Sequence, residues 1–221
     1  MLELSELRKS YGTSSILSGA SLTCQRGEAV CILGANAAGK TTLLTIAAGG
    51  QAADAGTCRC DGKIGYIPQE PALLEGLSVK EHLALWYAVY DLPAKKMFTP
   101  DSPETLLGLR PFAQTGAKKL SGGMKKKLAI ASALLANADY LLMDEPFAAL
   151  DLASRTEVLQ MLKNLTQQQK GILFVSHEPA EIAALANRAL LLYGGKFVAE
   201  LQLQGDFEQR HRQIKDLLFQ V

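Results

Sequence analysis

The stretch Gly34-Ala35-Asn36-Ala37-Ala38-Gly39-Lys40-Thr41 fits the pattern GxxxxGK[ST] of a phosphate-binding loop. It follows the apolar run at residues 29–33 and opens a helix-like stretch at residues 39–48. The glycines let the backbone curl, so successive N–H groups and the helix N-terminus face phosphate oxygens. We expect Lys40 to reach the β and γ phosphates and the Thr41 hydroxyl to hold Mg²⁺. The alternative is a tight turn with an incidental lysine, and the flanks argue against it.

Two carboxylates follow another apolar run. Residues 140–143 read Tyr-Leu-Leu-Met and are followed by Asp144 and Glu145. A carboxylate at the tip of a strand can support the Mg²⁺ shell, and the next one can accept a proton from an attacking water. We therefore expect Asp144 to be the metal-side acid and Glu145 the general base. An ordinary solvated acidic loop is the competing interpretation, and Pro146 fits it poorly.

The pattern of apolar runs predicts an α/β fold with a parallel sheet, the core of a P-loop NTPase. Four runs are apolar throughout, at residues 29–33, 140–143, 172–175 and 189–192, and helix-like stretches lie at 39–48, 122–136, 152–169 and 178–187. The first 25 residues and residues 56–67 suggest an antiparallel β subdomain. Residues 69–138 are expected to form a helical insertion subdomain, with a capping box at residues 78–81. The whole chain, 1–221, is expected to be a single domain.

The composition excludes several function classes. The 221 residues are 48% hydrophobic, and 23 basic residues against 22 acidic ones give a net charge of +1. A surface that binds nucleic acid through bulk positive charge is therefore not expected. Charged or polar residues interrupt every apolar run before the roughly 18 residues of a spanning helix. The first six residues lack a secretory signal pattern, so we expect a cytoplasmic protein.

Four smaller features of the sequence, its cysteines, a lysine cluster, an aromatic group and the tail, lead to further expectations. The four cysteines are expected to be buried, reduced thiols. Five lysines surround residues 120–124, and we favour a solvated helix start over an anion-attracting patch. Three aromatic residues near residue 88 are expected in the core rather than in a groove for a partner helix. The tail at residues 206–221 is expected to be a short packed helix. The lysines are Lys118, Lys119, Lys125, Lys126 and Lys127, and the aromatic residues are Trp86, Tyr87 and Tyr90.

A third motif makes the resemblance specific. The sequence at residues 120–124, Leu-Ser-Gly-Gly-Met, resembles the LSGGQ signature of ATP-binding cassette (ABC) ATPases. Other motifs agree with that family in order and spacing. Tyr11 matches its adenine-stacking aromatic residue, Gln69 its Q-loop glutamine, residues 148–151 its D-loop and His177 its switch histidine. The resemblance extends from about residue 2 to 204.

The resemblance implies a mechanism for ATP hydrolysis. Glu145 would activate an in-line water, His177 would steady the γ-phosphate, and Gln69 would sense Mg²⁺ and couple the site to the helical insertion. The signature of one subunit would face the nucleotide bound by another, in a head-to-tail pair. The implied catalytic residues are Lys40, Glu145 and His177, and the implied metal site is Thr41, Gln69 and Asp144. The implied ATP-binding residues are Tyr11, Gly34, Ala35, Asn36, Ala37, Ala38, Gly39, Lys40, Thr41, Thr42, Gln69, Ser121, Gly122, Gly123 and Asp144.

Two positions depart from the family pattern. Ala37 replaces the usual fourth-position glycine of the phosphate loop, and Met124 replaces the glutamine that ends the signature. If Ala37 needs a positive φ, its Cβ costs about 1 kcal/mol or more. Met124 cannot hydrogen-bond as glutamine does, although Ser121 and the two glycines remain. We expect the site shared between two subunits to survive both changes.

The resemblance also implies partners. An integral membrane permease would carry the substrate, and the chain would pair with a copy of itself or a similar ATPase, at the cytoplasmic face of the plasma membrane. Residues 77–83 and 147–151 look like those of small bacterial export systems. Two alternatives stay open: a soluble ABC ATPase with a non-transport role, and a non-hydrolysing cassette. Glu145 and His177 argue against the second alternative.

Overall fold

A six-stranded sheet forms the centre of the molecule, and the phosphate loop follows its strand β3. The computed structural model describes residues 1–218. The strands are β1 (Leu2–Tyr11), β2 (Ser14–Cys24), β3 (Ala29–Leu33), β4 (Ala55–Cys60), β5 (Ile64–Ile67), β6 (Tyr140–Asp144), β7 (Gly171–Val175), β8 (Arg188–Tyr193) and β9 (Lys196–Gln202). The helices are α1 (Lys40–Ala47), α2 (Val79–Val89), α3 (Pro103–Leu106), α4 (Gly122–Leu135), α5 (Leu152–Gln167), α6 (Pro179–Leu185) and α7 (Phe207–Leu218).

The strand order of the main sheet is β5-β6-β7-β3-β8-β9, and all neighbours are parallel except β8 and β9. The continuous apolar runs are buried on both faces, as their composition predicts. Within β3, Cys31 packs in one apolar cluster with residues of α4, α5 and α6, while Ile32 packs in a second cluster with residues of α1. The predicted parallel α/β core is confirmed.

A second sheet has the order β2-β1-β4, and both of its strand pairings are antiparallel. The prediction that residues 56–67 belong to this sheet is correct only for the part in β4. Strand β5 instead pairs in parallel with β6 in the main sheet. The Asp139 carboxylate accepts from the Lys63 N–H at 2.9 Å, and the Asp139 N–H donates to the Lys63 carbonyl at 2.8 Å. These bonds hold the start of β5 beside β6.

The segment between β5 and β6 contains α2, α3, α4 and three short 3₁₀ turns. Helix α2 begins with the predicted capping box, in which the Ser78 hydroxyl accepts from the Glu81 N–H and the Glu81 carboxylate accepts from the Ser78 N–H. The aromatic residues of α2 divide between core and surface. Tyr87 is buried, Trp86 is half-buried, and Tyr90 is exposed and stacks on Trp86. The core prediction is therefore correct for Tyr87 alone.

The cysteine prediction also holds in part. All four cysteines are free, and Cys24 and Cys31 are buried. Burial raises the pKa of the Cys24 thiol to about 12. Cys58 is exposed and Cys60 half-buried, because β4 is the outer strand of its sheet and one side of it meets solvent.

Helix α7 confirms the packed tail as far as the structure describes it. Ile214 and Leu217 are buried, and α7 packs against α6. Phe207 remains exposed at the start of the helix. The apolar residue Phe219, which was also part of this prediction, lies outside the described residues.

Candidate functional site

The phosphate loop joins β3 to α1 and is shaped by close backbone packing. A Cβ on Gly34 would lie 2.4 Å from the Leu192 carbonyl oxygen, so only glycine fits there. Ala37 has φ 62°, in the left-handed region where its Cβ is strained. Ala37 therefore has the positive φ for which a conformational cost of its Cβ was expected. Gly39 also has a positive φ, 101°, where the loop enters α1.

Lys40 lies in the loop that it is predicted to serve. Its Nζ donates to the carbonyl oxygens of Gly34 and Ala35, both at 2.8 Å, and its side chain is nearly buried. Burial lowers the pKa of Lys40, and the carboxylates of Glu145 and Asp144 act in the opposite direction. An ammonium held at the loop in this way can exchange a carbonyl acceptor for a phosphate oxygen.

Thr41 and Asp144 meet at the carboxyl edge of the sheet. The Thr41 hydroxyl Oγ1 donates to Asp144 Oδ2 at 2.5 Å, and Asp144 is buried at the end of β6. A hydroxyl and a carboxylate are the oxygen donors that Mg²⁺ takes from a protein at a nucleotide site, where substrate phosphates and water supply the remaining ligands. These two residues therefore fit the predicted metal. Gln69 lines the same cavity from the segment after β5.

Glu145 and His177 face each other across the site. Glu145 follows β6 with φ 52°, and its Oε1 lies 3.1 Å from Nε2 of His177, which follows β7. Burial raises the pKa of Glu145, and the neighbouring Asp144 charge raises it further. Burial lowers the pKa of His177, and the Lys40 charge adds to that effect. A carboxylate with a raised pKa beside a neutral imidazole is a suitable proton acceptor.

Predicted residues from several distant motifs line one cavity of about 660 Å³, whereas the predicted loop residues Gly34, Ala35 and Ala38 are not part of its lining. Tyr11 lines the cavity and is half-exposed, with its hydroxyl hydrogen-bonded to Gln51 and the Lys9 Nζ over its ring, 5.8 Å from the ring centroid. Sequence reasoning missed two apolar lining residues, Ile16 and Val175. The full lining is Tyr11, Ile16, Asn36, Ala37, Gly39, Lys40, Thr41, Thr42, Gln69, Asp144, Glu145, Val175 and His177.

The signature motif lies outside this cavity. Ser121 is the N-cap of α4, and its side chain accepts from the Met124 N–H at 3.3 Å. Ser121 and Gly122 are exposed, so the hydroxyl and the free N–H groups of the helix start face solvent. Gly123 packs so closely on the D-loop that an added Cβ would lie 2.9 Å from the Ala149 carbonyl oxygen. The signature serine is therefore exposed and lies apart from the cavity that Lys40 lines.

The lysines around the signature do not behave alike. Lys118 and Lys119 are exposed, as expected of a solvated helix start. Lys126 and Lys127 are buried, so that interpretation is wrong for both. Lys127 Nζ donates to Glu157 on α5 at 2.7 Å, while Lys126 Nζ donates to the carbonyl oxygen of Gln69 at 2.6 Å. The available signal was their position: Lys126 lies one helical turn before Ile130, which is buried in the core.

Comparison with known proteins identifies the family. A family model described as ABC transporter matches residues 17–148. The linearmycin resistance ATP-binding protein LnrL of Bacillus subtilis is 32% identical over 216 residues, which cover 90% of this chain and 68% of that protein. The taurine import ATP-binding protein TauB of Pseudomonas aeruginosa is 32% identical, with coverage of 89% and 79%. The Nod factor export ATP-binding protein I of Paraburkholderia xenovorans is also 32% identical, with coverage of 90% and 70%.

Solved structures agree with these relatives. A dimeric ATP-binding cassette in a post-hydrolysis state, bound to ADP and Pi, superposes with a TM-score of 0.83 at 25% identity and covers 93% of this chain and all of that one. Among residues 1–218, no helix has the length and apolarity needed to cross a membrane. The chain belongs to the ABC transporter family and is an ATP-binding subunit with the ATPase fold of that family.

Proposed function

We propose that this chain binds MgATP in the 660 Å³ cavity, hydrolyses it, and so powers transport through a separate membrane-spanning partner. The observation that carries the proposal is the convergence of Lys40, Asp144, Glu145 and His177 on one cavity from three neighbouring parallel strands. In open α/β sheets, ligands bind at the carboxyl ends of the strands.

The phosphates would lie against the loop and its lysine. The N–H groups at the start of α1 and the Lys40 ammonium would bind the β and γ phosphates, while Thr41, Asp144 and Gln69 would hold Mg²⁺. When bound, Mg²⁺ neutralises negative charge on the β and γ phosphates. Tyr11 would stack on the adenine, since its half-exposed side chain lines the cavity.

Hydrolysis would depend on the Glu145 and His177 pair, which would face the γ-phosphate. The Glu145 carboxylate would accept a proton from a water aligned with the γ-phosphate, and its raised pKa makes it a stronger base than a free glutamate. His177 would orient the Glu145 carboxylate and contact the γ-phosphate. Positioning and electrostatics would supply most of the rate enhancement.

The exposed signature would complete the site of a second subunit. Ser121, Gly122 and Gly123 lie outside the chain's own cavity, and their solvent-facing N–H groups suit an anion brought by another molecule. We propose a twofold, head-to-tail dimer, with itself or a similar ATPase, in which each signature contacts the nucleotide of the other subunit. The solved cassette bound to ADP and Pi is dimeric, which supports this arrangement.

Cross-linking tests the dimer directly. Asn36 and Ser121 are both exposed, so an Asn36→Cys, Ser121→Cys variant should cross-link between subunits when MgATP is added. Glu145→Gln is included to retain the nucleotide, and Cys58→Ser and Cys60→Ser remove competing thiols. Each single cysteine variant is the matched control. MgATP-independent cross-linking, or none, would count against the dimer.

The membrane partner would dock beside Gln69. A groove of about 230 Å³ there is lined by Pro68, Trp86 and Tyr90 together with apolar residues, and it suits a short amphipathic helix of the partner. We propose that the chain works as one domain, 1–221, and that residues 69–138 form the part that contacts the membrane partner. The chain would then lie at the cytoplasmic face of the membrane.

The direction of transport is proposed as export, from the resemblance of residues 77–83 and 147–151 to small bacterial export systems. Relatives named for import and for export are equally similar to this chain. Reconstitution in vesicles with a candidate polytopic membrane protein tests both partner and direction. Stimulated MgATP hydrolysis is expected, and Trp86→Ala should reduce that stimulation while leaving hydrolysis by the isolated chain unchanged.

A further inference from the structure

Lys126 is a buried cation at the meeting point of three segments of the nucleotide site. It belongs to α4, and its residue is only 3% exposed. Its Nζ donates to the carbonyl oxygen of Gln69 at 2.6 Å and to that of Pro68 at 3.2 Å, and it lies 3.5 Å from the carbonyl oxygen of Asp144. One side chain thus contacts the backbone at Gln69 and at the end of β6. The helix that carries it begins at the signature.

The surroundings explain how this charge is tolerated. Moving an ammonium out of water is costly unless its donors are paired. Lys126 has three N–H donors and three carbonyl oxygens within reach, and the carboxylates of Asp144 and Glu145 add favourable charge. The converse also follows: the Pro68 and Gln69 carbonyls depend on Lys126 as their donor. Removal of the ammonium therefore loosens the backbone of Gln69.

Helix α4 connects this contact to the signature. Its N-cap is Ser121, so the serine and Lys126 are fixed on one regular helix of 14 residues. A displacement at Gln69 or Asp144 that exceeds what the Lys126 side chain can follow would therefore move the start of α4 or break the Lys126 contacts. We propose that Lys126 is a positioning residue that couples each subunit's own Gln69 and Asp144 to the signature serine it presents to the partner's nucleotide. This inference rests on the proposed function.

The test compares Lys126→Met, which removes all three donors, with Lys126→Gln, which keeps two N–H donors but no charge. Lys80→Met, an exposed lysine on α2, is the matched control. Four quantities are measured for each full-length variant: the affinity for a fluorescent MgATP analogue, kcat at saturating MgATP, the MgATP-induced change in tryptophan fluorescence, and the melting temperature. The MgATP-dependent dimer is measured separately in the Glu145→Gln background. Trp86 is the chain's only tryptophan and lines a groove with Pro68, so it reports on this backbone segment.

We expect Lys126→Met to bind MgATP within about threefold of the unmodified chain but to lose at least about tenfold in kcat. Its Trp86 response to MgATP should disappear, and in the Glu145→Gln background its MgATP-dependent dimer should weaken. Lys126→Gln should be intermediate in all of these, because it retains part of the hydrogen bonding. Lys80→Met should match the unmodified chain.

Three results would overturn the inference. One is an unchanged kcat and Trp86 response in folded Lys126→Met. Another is a parallel loss of affinity, kcat and melting temperature, which indicates a merely structural role. The third is equal behaviour of the Met and Gln variants. Each of these results refutes the inference while the unmodified chain still binds and hydrolyses MgATP. Failure of the unmodified chain to bind MgATP would instead refute the proposed function, so the two failures are distinguishable.

Discussion

Nε2 of His177 lies 3.1 Å from Oε1 of Glu145, although the two residues follow different strands. The backbone enforces this contact, because the Glu145 N–H donates to the carbonyl oxygen of Val175, two residues before His177. The two loops are thereby joined at the edge of the sheet.

Replacing Glu145 by Gln is expected to slow MgATP hydrolysis by about 10² to 10⁴-fold, because the amide cannot accept the proton of the attacking water. MgATP should still bind, since Lys40 and Thr41 are unchanged, and the dimer should accumulate. Phosphate release and size-exclusion chromatography with MgATP measure the two effects. Undiminished turnover would remove Glu145 from the role of base.

Replacing Lys40 by Ala should abolish most of the affinity for MgATP, because it removes the ammonium that donates to the Gly34 and Ala35 carbonyls and is proposed to bind the phosphates. The melting temperature should then no longer rise with MgATP, whereas at about 100 times Kd a single site stabilises the unmodified chain by about 2.7 kcal/mol. Differential scanning fluorimetry across a MgATP titration checks this. An unchanged shift would contradict the assignment of the phosphate loop.

Ala37 and its neighbour Ala38 offer a matched pair for the strain in the loop. Ala37 has a positive φ and Ala38 does not. Ala37→Gly should relieve about 1 kcal/mol of strain, partly offset by the greater freedom of glycine in the unfolded chain. Ala38→Gly gains no such relief and should destabilise by about 0.5–1 kcal/mol. Urea unfolding compares the two, and equal destabilisation by both changes would show that the φ of Ala37 carries no cost.

His82 should make the stability of the fold depend on pH. It is buried in α2, its Nε2 accepts from Trp86 Nε1–H at 3.2 Å, and burial lowers the pKa of its imidazole. The unfolded chain takes up the proton at the ordinary pKa of about 6.5, while the folded chain resists it. Stability should therefore fall as pH drops below about 6.5, by up to about 1.4 kcal/mol per pH unit, until the folded pKa is reached.

His82→Asn isolates this contribution, since asparagine does not titrate. Urea unfolding at pH 7.5 and 5.5 should show a smaller loss of stability on acidification in the variant than in the unmodified chain. The same loss in both proteins would mean that His82 is not the group responsible.

The parallel core could be predicted from sequence because its signal is continuous. Four strands of the core are apolar along nearly their whole length: β3, β6, β7 and β8. The phosphate-loop motif is one continuous stretch, residues 34–41. The sheet to which β5 belongs could not be predicted, because its pairing with β6 depends on a contact between Lys63 and Asp139. These two residues are far apart in the sequence. Its four residues contain no pattern of their own that specifies parallel pairing.

The sequence motifs name candidate site residues, but they do not give the geometry of the site. The motifs name Glu145 and His177, and only the folded sheet shows that the two side chains touch. The burial of Lys126 was not predicted, because a lysine on a helix is usually solvated. Its burial depends on the segment after β5, whose carbonyl oxygens it contacts. Pairing of a charge with backbone carbonyls leaves no trace in composition.

The strand order also has a consequence for synthesis. Strand β3 lies between β7 and β8, both of which the ribosome makes much later than the phosphate loop. A growing chain that already contains Lys40 lacks the neighbours that hold β3 in the sheet, and it lacks Glu145 and His177. The proposed hydrolytic site can therefore form only after β7 and β8 have been synthesised, long after the phosphate loop.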